Sequence, residues 1–276
     1  MYKYTINLDD GLMDFSGDEI IYKERLISDG PILPYKVNQI KDAGSPEAFL
    51  RFMGANFPDH DTLETLLYYL SLIPAMETDF KYCGVFYGGY ATGKTATIEI
   101  LREILPGYIE NIPYEVFFRR KSSHPDYFPV NMENKGAGIV PECPNNAPVN
   151  IPLIKVLTGG DTIWARSLYQ EPKQIVPTAQ IIFCTNSTID FGKDDEAMNK
   201  RLLVIPFLIK HERGNPKTKT FSEIVKILQA EFPAVVRLLV EYYLRLKGTH
   251  GGEIPQSDEC IKYKRRFIRM SEATVE

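Results

Sequence analysis

The chain has 276 residues and a mass of 31.5 kDa, with 44% hydrophobic and 25% charged residues. That balance excludes disorder, collagen-like repeats and small disulfide scaffolds, and predicts a folded core. A net charge of −4 and a pI near 5.7 leave no global basic field, so any nucleic-acid binding has to use a local patch or channel. No apolar run of about 20 residues is present to cross a bilayer. The first residues are interrupted by Asp9-Asp10 before a secretory segment can form, so a soluble, cytoplasmic chain is expected. Cys83, Cys143, Cys184 and Cys260 are scattered without a Cys-x-x-Cys pair, which predicts free thiols rather than a zinc site or a disulfide framework.

Residues 1 to about 35 read as short strand-like pieces broken by Asp9-Asp10-Gly11 and Ser16-Gly17-Asp18, an arm covering a surface. Two helices are expected before residue 75. One opens at Ser45-Pro46-Glu47, with Ser45 as cap and Pro46 in the first turn; the other opens at Asp61-Thr62-Leu63-Glu64, which resembles a capping box. From Tyr82 to Phe207, β-rich runs (Tyr82 to Tyr87, Gly138 to Val140, Ile181 to Thr185, Leu202 to Ile205) alternate with helical or turn-rich stretches, the pattern of an α/β fold. After a polar break, Thr220-x-x-Glu223 opens one amphipathic helix and Pro233 opens another that is expected to stop at Gly248. The expected division is a leading region at 1–75, a core at 76–212 and a small helical appendage at 213–276.

Gly88-Gly89-Tyr90-Ala91-Thr92-Gly93-Lys94-Thr95 satisfies G-x-x-x-x-G-K-[ST] between an apolar strand and a helix carrying Ile98, Leu101 and Leu105 on one face. Glycines let the backbone wrap round phosphates while the amide groups and helix N-terminus attract negative charge. Lys94 is placed to reach the β- and γ-phosphates of ATP, and the Thr95 hydroxyl to ligate Mg²⁺. An acid at the end of a neighbouring strand is also needed, to hold the metal's water shell and polarise the attacking water. Glu142 is the candidate, after Gly138-Ile139-Val140-Pro141, although Pro141 stands where many such enzymes carry a first Asp; Asp161 or another acid is the alternative for the role. Gln180-Ile-Ile-Phe-Cys-Thr-Asn186 is an apolar strand ending in an amide, which would set Asn186 beside the γ-phosphate to orient that water.

Gly88, Glu142 and Asn186 in this order and spacing resemble the compact motif layout of superfamily 3 helicases. The stretch Ile154-Lys-Val-Leu-Thr-Gly-Gly-Asp-Thr-Ile-Trp-Ala-Arg-Ser-Leu-Tyr169 resembles the segment between the second and third motifs of phage, plasmid and poxvirus-type primase-helicases. Lys200-Arg-Leu-Leu-Val-Ile-Pro-Phe207 resembles their Arg-x-x-x-Ile-Pro-Phe element, and Asn7 to Gly17 the start of their pre-ATPase region. The resemblance implies an AAA+ P-loop core with a parallel central sheet and a homo-oligomeric, hexameric ring. It also implies ATP-driven translocation on single-stranded or forked DNA during viral, phage or plasmid replication, beside a primase domain or protein and, for a virus or phage, in the host cytoplasm. Relatives often carry a primase domain upstream and a further domain downstream, so the chain is expected to be either a minimal protein or an excised fragment.

The same resemblance implies an arginine finger reaching a neighbour's site, for which Arg201 is the choice and Arg166 and Arg213 the alternatives; Lys200 replaces the first of the paired arginines some relatives show. It further implies a pore hairpin, here Ile163 to Ile175, in which Lys173 and Arg166 would meet phosphates and Tyr169 would stack or pack. Trp164 is expected to pack the hairpin. Lys262 to Arg269 interleaves basic residues with Tyr263 and Phe267, a pattern shared by nucleic-acid surfaces and by ordinary solvated helix faces. His124, His211 and His250 lack partners at metal-ligand spacing. A P-loop protein without motor activity, such as a small-molecule kinase or an assembly factor, carries the loop motif equally well, but a kinase has no use for a finger and a hairpin in this order.

Overall fold

The computed structural model describes residues 3–24, 30–118, 132–145, 147–165, 171, 173–192, 195–211 and 219–270, with residues 269 and 270 described for the backbone alone. Four short strands lead the chain: β1 (Thr5–Leu8), β2 (Leu12–Asp14), β3 (Ile21–Lys23) and β4 (Ile32–Leu33), in the order β3-β2-β1-β4. Their side chains Ile6, Leu8 and Met13, with Phe15 just after β2, are fully buried, so this segment supplies core as well as cover.

Among the described residues three helices, not two, precede the central sheet: α1 (Val37–Lys41), α2 (Glu47–Gly54) and α3 (His60–Ala75). Pro46 is the residue flanking α2, so the helix opens one residue later than expected. The cap of α3 also shifts. Asp59, held in extended backbone, accepts from the Thr62 amide at 2.7 Å, which moves Asp61 into the first turn, where its charge complements the helix dipole. Glu64, expected to close a capping box, instead accepts from the Tyr242 hydroxyl.

The elements that follow are β5 (Cys83–Tyr87), α4 (Lys94–Ile104), β6 (Ile109–Asn111), α5 (Glu115–Phe118), β7 (Ala137–Val140), α6 (Ile151–Leu157), β8 (Ile163–Ala165), β9 (Lys173–Ile175), β10 (Gln180–Thr185), α7 (Glu196–Arg201) and β11 (Leu202–Pro206). Five of these strands form one sheet in the order β11-β5-β10-β7-β6, parallel at every pair. The fold is therefore a mixed α/β, P-loop NTPase-type core, as the strand and helix alternation predicts. A period of two along buried strands sends alternate side chains to opposite faces. Phe86, Ile182, Leu203 and Ile205 join a core shared with α3 and α4, whereas Val85, Ile181, Phe183 and Val204 join a second core with α6 and the β8–β9 hairpin. Gly84 is required by close approach: a Cβ there would lie 2.5 Å from the Tyr69 ring, whose hydroxyl donates to the Ile181 carbonyl at 3.0 Å.

The chain closes with α8 (Phe221–Leu228), α9 (Phe232–His250) and α10 (Asp258–Met270). Thr220 and Glu223 form the expected capping box. α9 runs past Gly248 and ends where Gly251 takes the left-handed conformation, φ 57°, because a helix interior tolerates glycine and termination needs the reversed dihedral. Tyr4 and Tyr243, stacked at 5.8 Å, both donate to the buried Glu77 carboxylate, at 2.9 and 3.1 Å, tying the leading segment, the end of α3 and α9 together. All four cysteines are free thiols. No helix of the described residues is long and apolar enough to cross a membrane.

Candidate active site

Parallel strands in register present all their carboxyl ends at one edge, and the phosphate-binding sequence follows one of them. β5 ends at Tyr87, opposite Thr185 of β10, so Gly88 and Asn186 both leave the same edge of the sheet. β7 reaches it too: Val140 pairs with Phe183, which carries Glu142 to the level of the strand ends. The Gly88 amide donates to the Thr185 carbonyl at 3.1 Å, and the Phe207 amide to the Tyr87 carbonyl at 2.7 Å, holding the loop between β10 and β11. A Cβ on Gly88 would sit 2.2 Å from the Phe207 carbonyl oxygen, so only glycine fits where the chains pass.

The loop residues 89–96 line one cavity of about 940 Å³ together with Glu142, Asn186 and the wall residues Pro141, Cys143 and Cys184. Lys94, first in α4, donates from Nζ to the Gly89 carbonyl at 2.8 Å and to Asn186 Oδ1 at 2.9 Å, so the lysine and the Asn186 amide meet directly. Burial lowers the Lys94 pKa from its ordinary value. Thr95 is exposed in the cavity at the N-terminus of α4, where helix dipole and amide groups favour an anion. Glu142, which lines the cavity, sits in the left-handed region at φ 53°, an uncommon conformation for a residue with a Cβ. Cys143 and Cys184 are pushed up to about 12 by burial, which keeps both thiols inert beside the site. Among the described residues no cluster of three or more His, Cys, Asp or Glu is set to hold a metal. One hydroxyl and one carboxylate suit a Mg²⁺ that keeps water and phosphate oxygens as its other ligands.

Lys94, Thr95, Glu142 and Asn186 thus come together, and Asp161 does not line the cavity. Arg201 lies at the other end of the sheet: Leu202 pairs with Cys83 at the start of β5, whereas the loop follows Tyr87. At about 3.3 Å per residue that is roughly 13 Å or more from the loop. Its guanidinium donates to Thr158 Oγ1 at 3.1 Å and to the Ala197 carbonyl at 2.9 Å. Lys200 forms an exposed pair with Glu196. Arg166, Tyr169 and Arg213 lie outside the described residues.

β8 and β9 form the expected antiparallel hairpin, with Trp164 opposite Gln174 and Ala165 opposite Lys173. Ala165 and Ile175 face the core, which turns the intervening Trp164 outward to 63% exposure, against the expectation that it packs the hairpin. Lys173 does not line the cavity and is ion-paired with Glu133. On α10 the aromatic members of the basic run turn inward, Tyr263 and Phe267 each 5.4 Å from the Tyr87 ring, as on a helix with one solvated face.

Sequence reasoning passed over Asn56 and weighed His211 only as a metal ligand, yet both line the cavity and meet each other at 2.9 Å. Nothing local marks them, because the contact joins residues separated by most of the chain.

No family model matches the chain. Over 227 residues it is 28% identical to a "Putative helicase" of Acanthamoeba polyphaga mimivirus, an alignment spanning 78% of this chain and 23% of that protein's length. Among solved structures, the apo C-terminal region of NrS-1 superposes with a TM-score of 0.61 at 14% identity, covering 99% of this chain and 73% of that one. An A-form apo structure of the same region gives a TM-score of 0.59 at 13% identity, covering 97% and 71%. At these identities the structures establish a shared fold.

Proposed function

We propose that this chain is the ATPase module of a DNA helicase of the superfamily 3 type, acting as a ring on single-stranded or forked DNA in viral, phage or plasmid replication. What supports this reading above all is the convergence of Lys94, Thr95, Glu142 and Asn186 on one cavity at the carboxyl edge of a parallel sheet. Similarity to the mimivirus protein favours a helicase over a small-molecule kinase. Lys94 neutralises charge growing on the transferred phosphoryl group. Glu142 accepts a proton from the attacking water, and Asn186 orients that water while sharing the lysine's ammonium. Thr95 and Glu142 would hold Mg²⁺, which supplies Lewis-acid neutralisation of the phosphate oxygens when bound. Arg201, too far from its own loop, serves a neighbouring subunit's site.

Steady-state ATP hydrolysis measured with and without single-stranded DNA tests the proposal. Hydrolysis stimulated by DNA supports it. Hydrolysis indifferent to DNA at every length and salt concentration would instead indicate a P-loop enzyme without motor activity.

A further inference from the structure

Away from the phosphate loop, α10 and the stretch before it enclose a second hollow of about 310 Å³, lined by Ile254, Gln256, Ile261, Lys264, Arg265 and Ile268. Residues 261, 264, 265 and 268 stand at i, i+3, i+4 and i+7, so one face of the helix supplies two isoleucines with two cations between them. Another face fixes the rotation of the helix: Tyr263 and Phe267 pack on the Tyr87 ring, and Cys260 is fully buried. The stretch before α10 is held as firmly. The Ile254 amide donates to the Tyr82 hydroxyl at 2.7 Å, the Thr65 hydroxyl to the Pro255 carbonyl at 2.9 Å, and the Ser257 amide to Thr65 Oγ1 at 3.0 Å. Ser257 Oγ then accepts from the Cys260 amide at 3.2 Å, capping α10. Both walls are set by the fold, so an occupant meets a preformed site.

Charge is the second observation. Lys262, on the same helix, has an acid partner in Glu259 at 2.8 Å. Lys264 and Arg265 have none: no acid lines the hollow, and neither side chain has a hydrogen-bond or ion-pair partner among the described residues. Lys264 is half-buried, and burial lowers its pKa from the ordinary value. An ammonium drawn against isoleucine with no counter-charge is destabilised, and an incoming anion relieves that cost.

We infer that this hollow docks an acidic segment of a partner protein, with one apolar side chain filling the space between Ile254, Ile261 and Ile268 while carboxylates beside it meet Lys264 and Arg265. Isoleucine walls reward an apolar anchor, and the paired cations reward the carboxylates that flank it. A nucleic-acid strand is the poorer match. Phosphates gain nothing from apolar walls, and the rings that could stack a base, Tyr263 and Phe267, are turned inward on Tyr87.

The test titrates the full chain with a fluorescein-labelled peptide in which aspartates flank one phenylalanine. Two control peptides carry asparagine in place of the aspartates or glycine in place of the phenylalanine, and a labelled single-stranded oligonucleotide is the fourth probe. The wild type should bind the parent peptide, and each control about tenfold more weakly, the worth of one charge-assisted hydrogen bond and of one buried aromatic side chain respectively. Lys264→Ala combined with Arg265→Ala should weaken the parent peptide at least about tenfold while leaving the oligonucleotide affinity unchanged. Arg265→Ala alone, at an exposed and unpaired position that the fold does not need, should give part of the same loss with an unchanged circular dichroism spectrum. A wild type that binds no peptide, or binds either control as tightly as the parent, overturns the inference. Loss of the oligonucleotide in parallel with the peptide would make the face a nucleic-acid surface and overturn it as well. None of these results bears on the ATPase reading, which rests on the other cavity.

Discussion

At Glu142 the chain accepts an unfavourable backbone to present a carboxylate. Its φ of 53° lies in a region that costs a residue with a Cβ about 1 kcal/mol and that asparagine tolerates better. Glu142→Asn should therefore raise the unfolding free energy by roughly 1 kcal/mol while hydrolysis is lost, both read on one preparation by denaturant titration and phosphate release. Glu142→Gln should keep ATP binding and lower turnover at least about a hundredfold, since an amide cannot take the water's proton; turnover near wild type would remove Glu142 from the mechanism. Lys94→Ala deletes the ammonium shared by the Gly89 carbonyl and Asn186. Turnover should fall by about two to three orders of magnitude with an unchanged circular dichroism spectrum.

At the scale of elements, the β8–β9 hairpin and the leading sheet each carry an ion pair with a measurable consequence. Lys173 reaches Glu133, so a DNA phosphate has to compete with a carboxylate for its ammonium. Lys173→Ala should weaken single-strand binding and reduce the slope of log affinity against log salt by roughly 0.7, the value for one phosphate contact. Glu133→Gln should strengthen binding, because it frees the same lysine. Opposite signs for the two variants distinguish a DNA contact from a structural pair, and an unchanged slope in both places the contact elsewhere. In the leading sheet, Lys23 and the Ser16 amide hold the Asp14 carboxyl at about 2, below the ordinary carboxylate value. A depressed acid stabilises the fold fully above its unfolded pKa near 4 and loses that contribution as pH falls through about 2. Chemical denaturation between pH 5 and 2 should show this loss in the wild type and a shallower one in Asp14→Asn.

For the whole molecule, the separation between Arg201 and Lys94 decides what a single copy can do. They stand at opposite ends of β5 and β11, so an Arg201 that assists hydrolysis does so at a neighbour's site. Arg201→Ala should bind ATP and hydrolyse it slower by about 10³ to 10⁵, the range over which such fingers act. Mixing it with Lys94→Ala should restore part of the activity, because an intact Lys94 then faces an intact Arg201 across an interface. A mixture that stays inactive after subunit exchange has been demonstrated by fluorescence transfer assigns Arg201 to its contact with Thr158 and the stability of α7.

The phosphate loop, the strands beside it and the capping box at Thr220 were legible in the amino-acid sequence, because each is a local pattern: contiguous residues, a period of two, or a spacing of three. The residue types of Glu142 and Asn186 were legible for the same reason, each following an apolar run. Their meeting at one cavity depended on sheet order and register, which no local pattern specifies. β6 is three residues long and passed unseen, and Asp59 displaced Asp61 as cap because both are good capping residues and only the packed helix selects between them. The outward turn of Trp164 followed from which face of a short hairpin met the core, a choice of tertiary packing between two equivalent pleats. Asn56 and His211 show the limit most plainly: their hydrogen bond spans 155 positions, and it exists because α2 and the segment after β11 are both pressed against the phosphate loop.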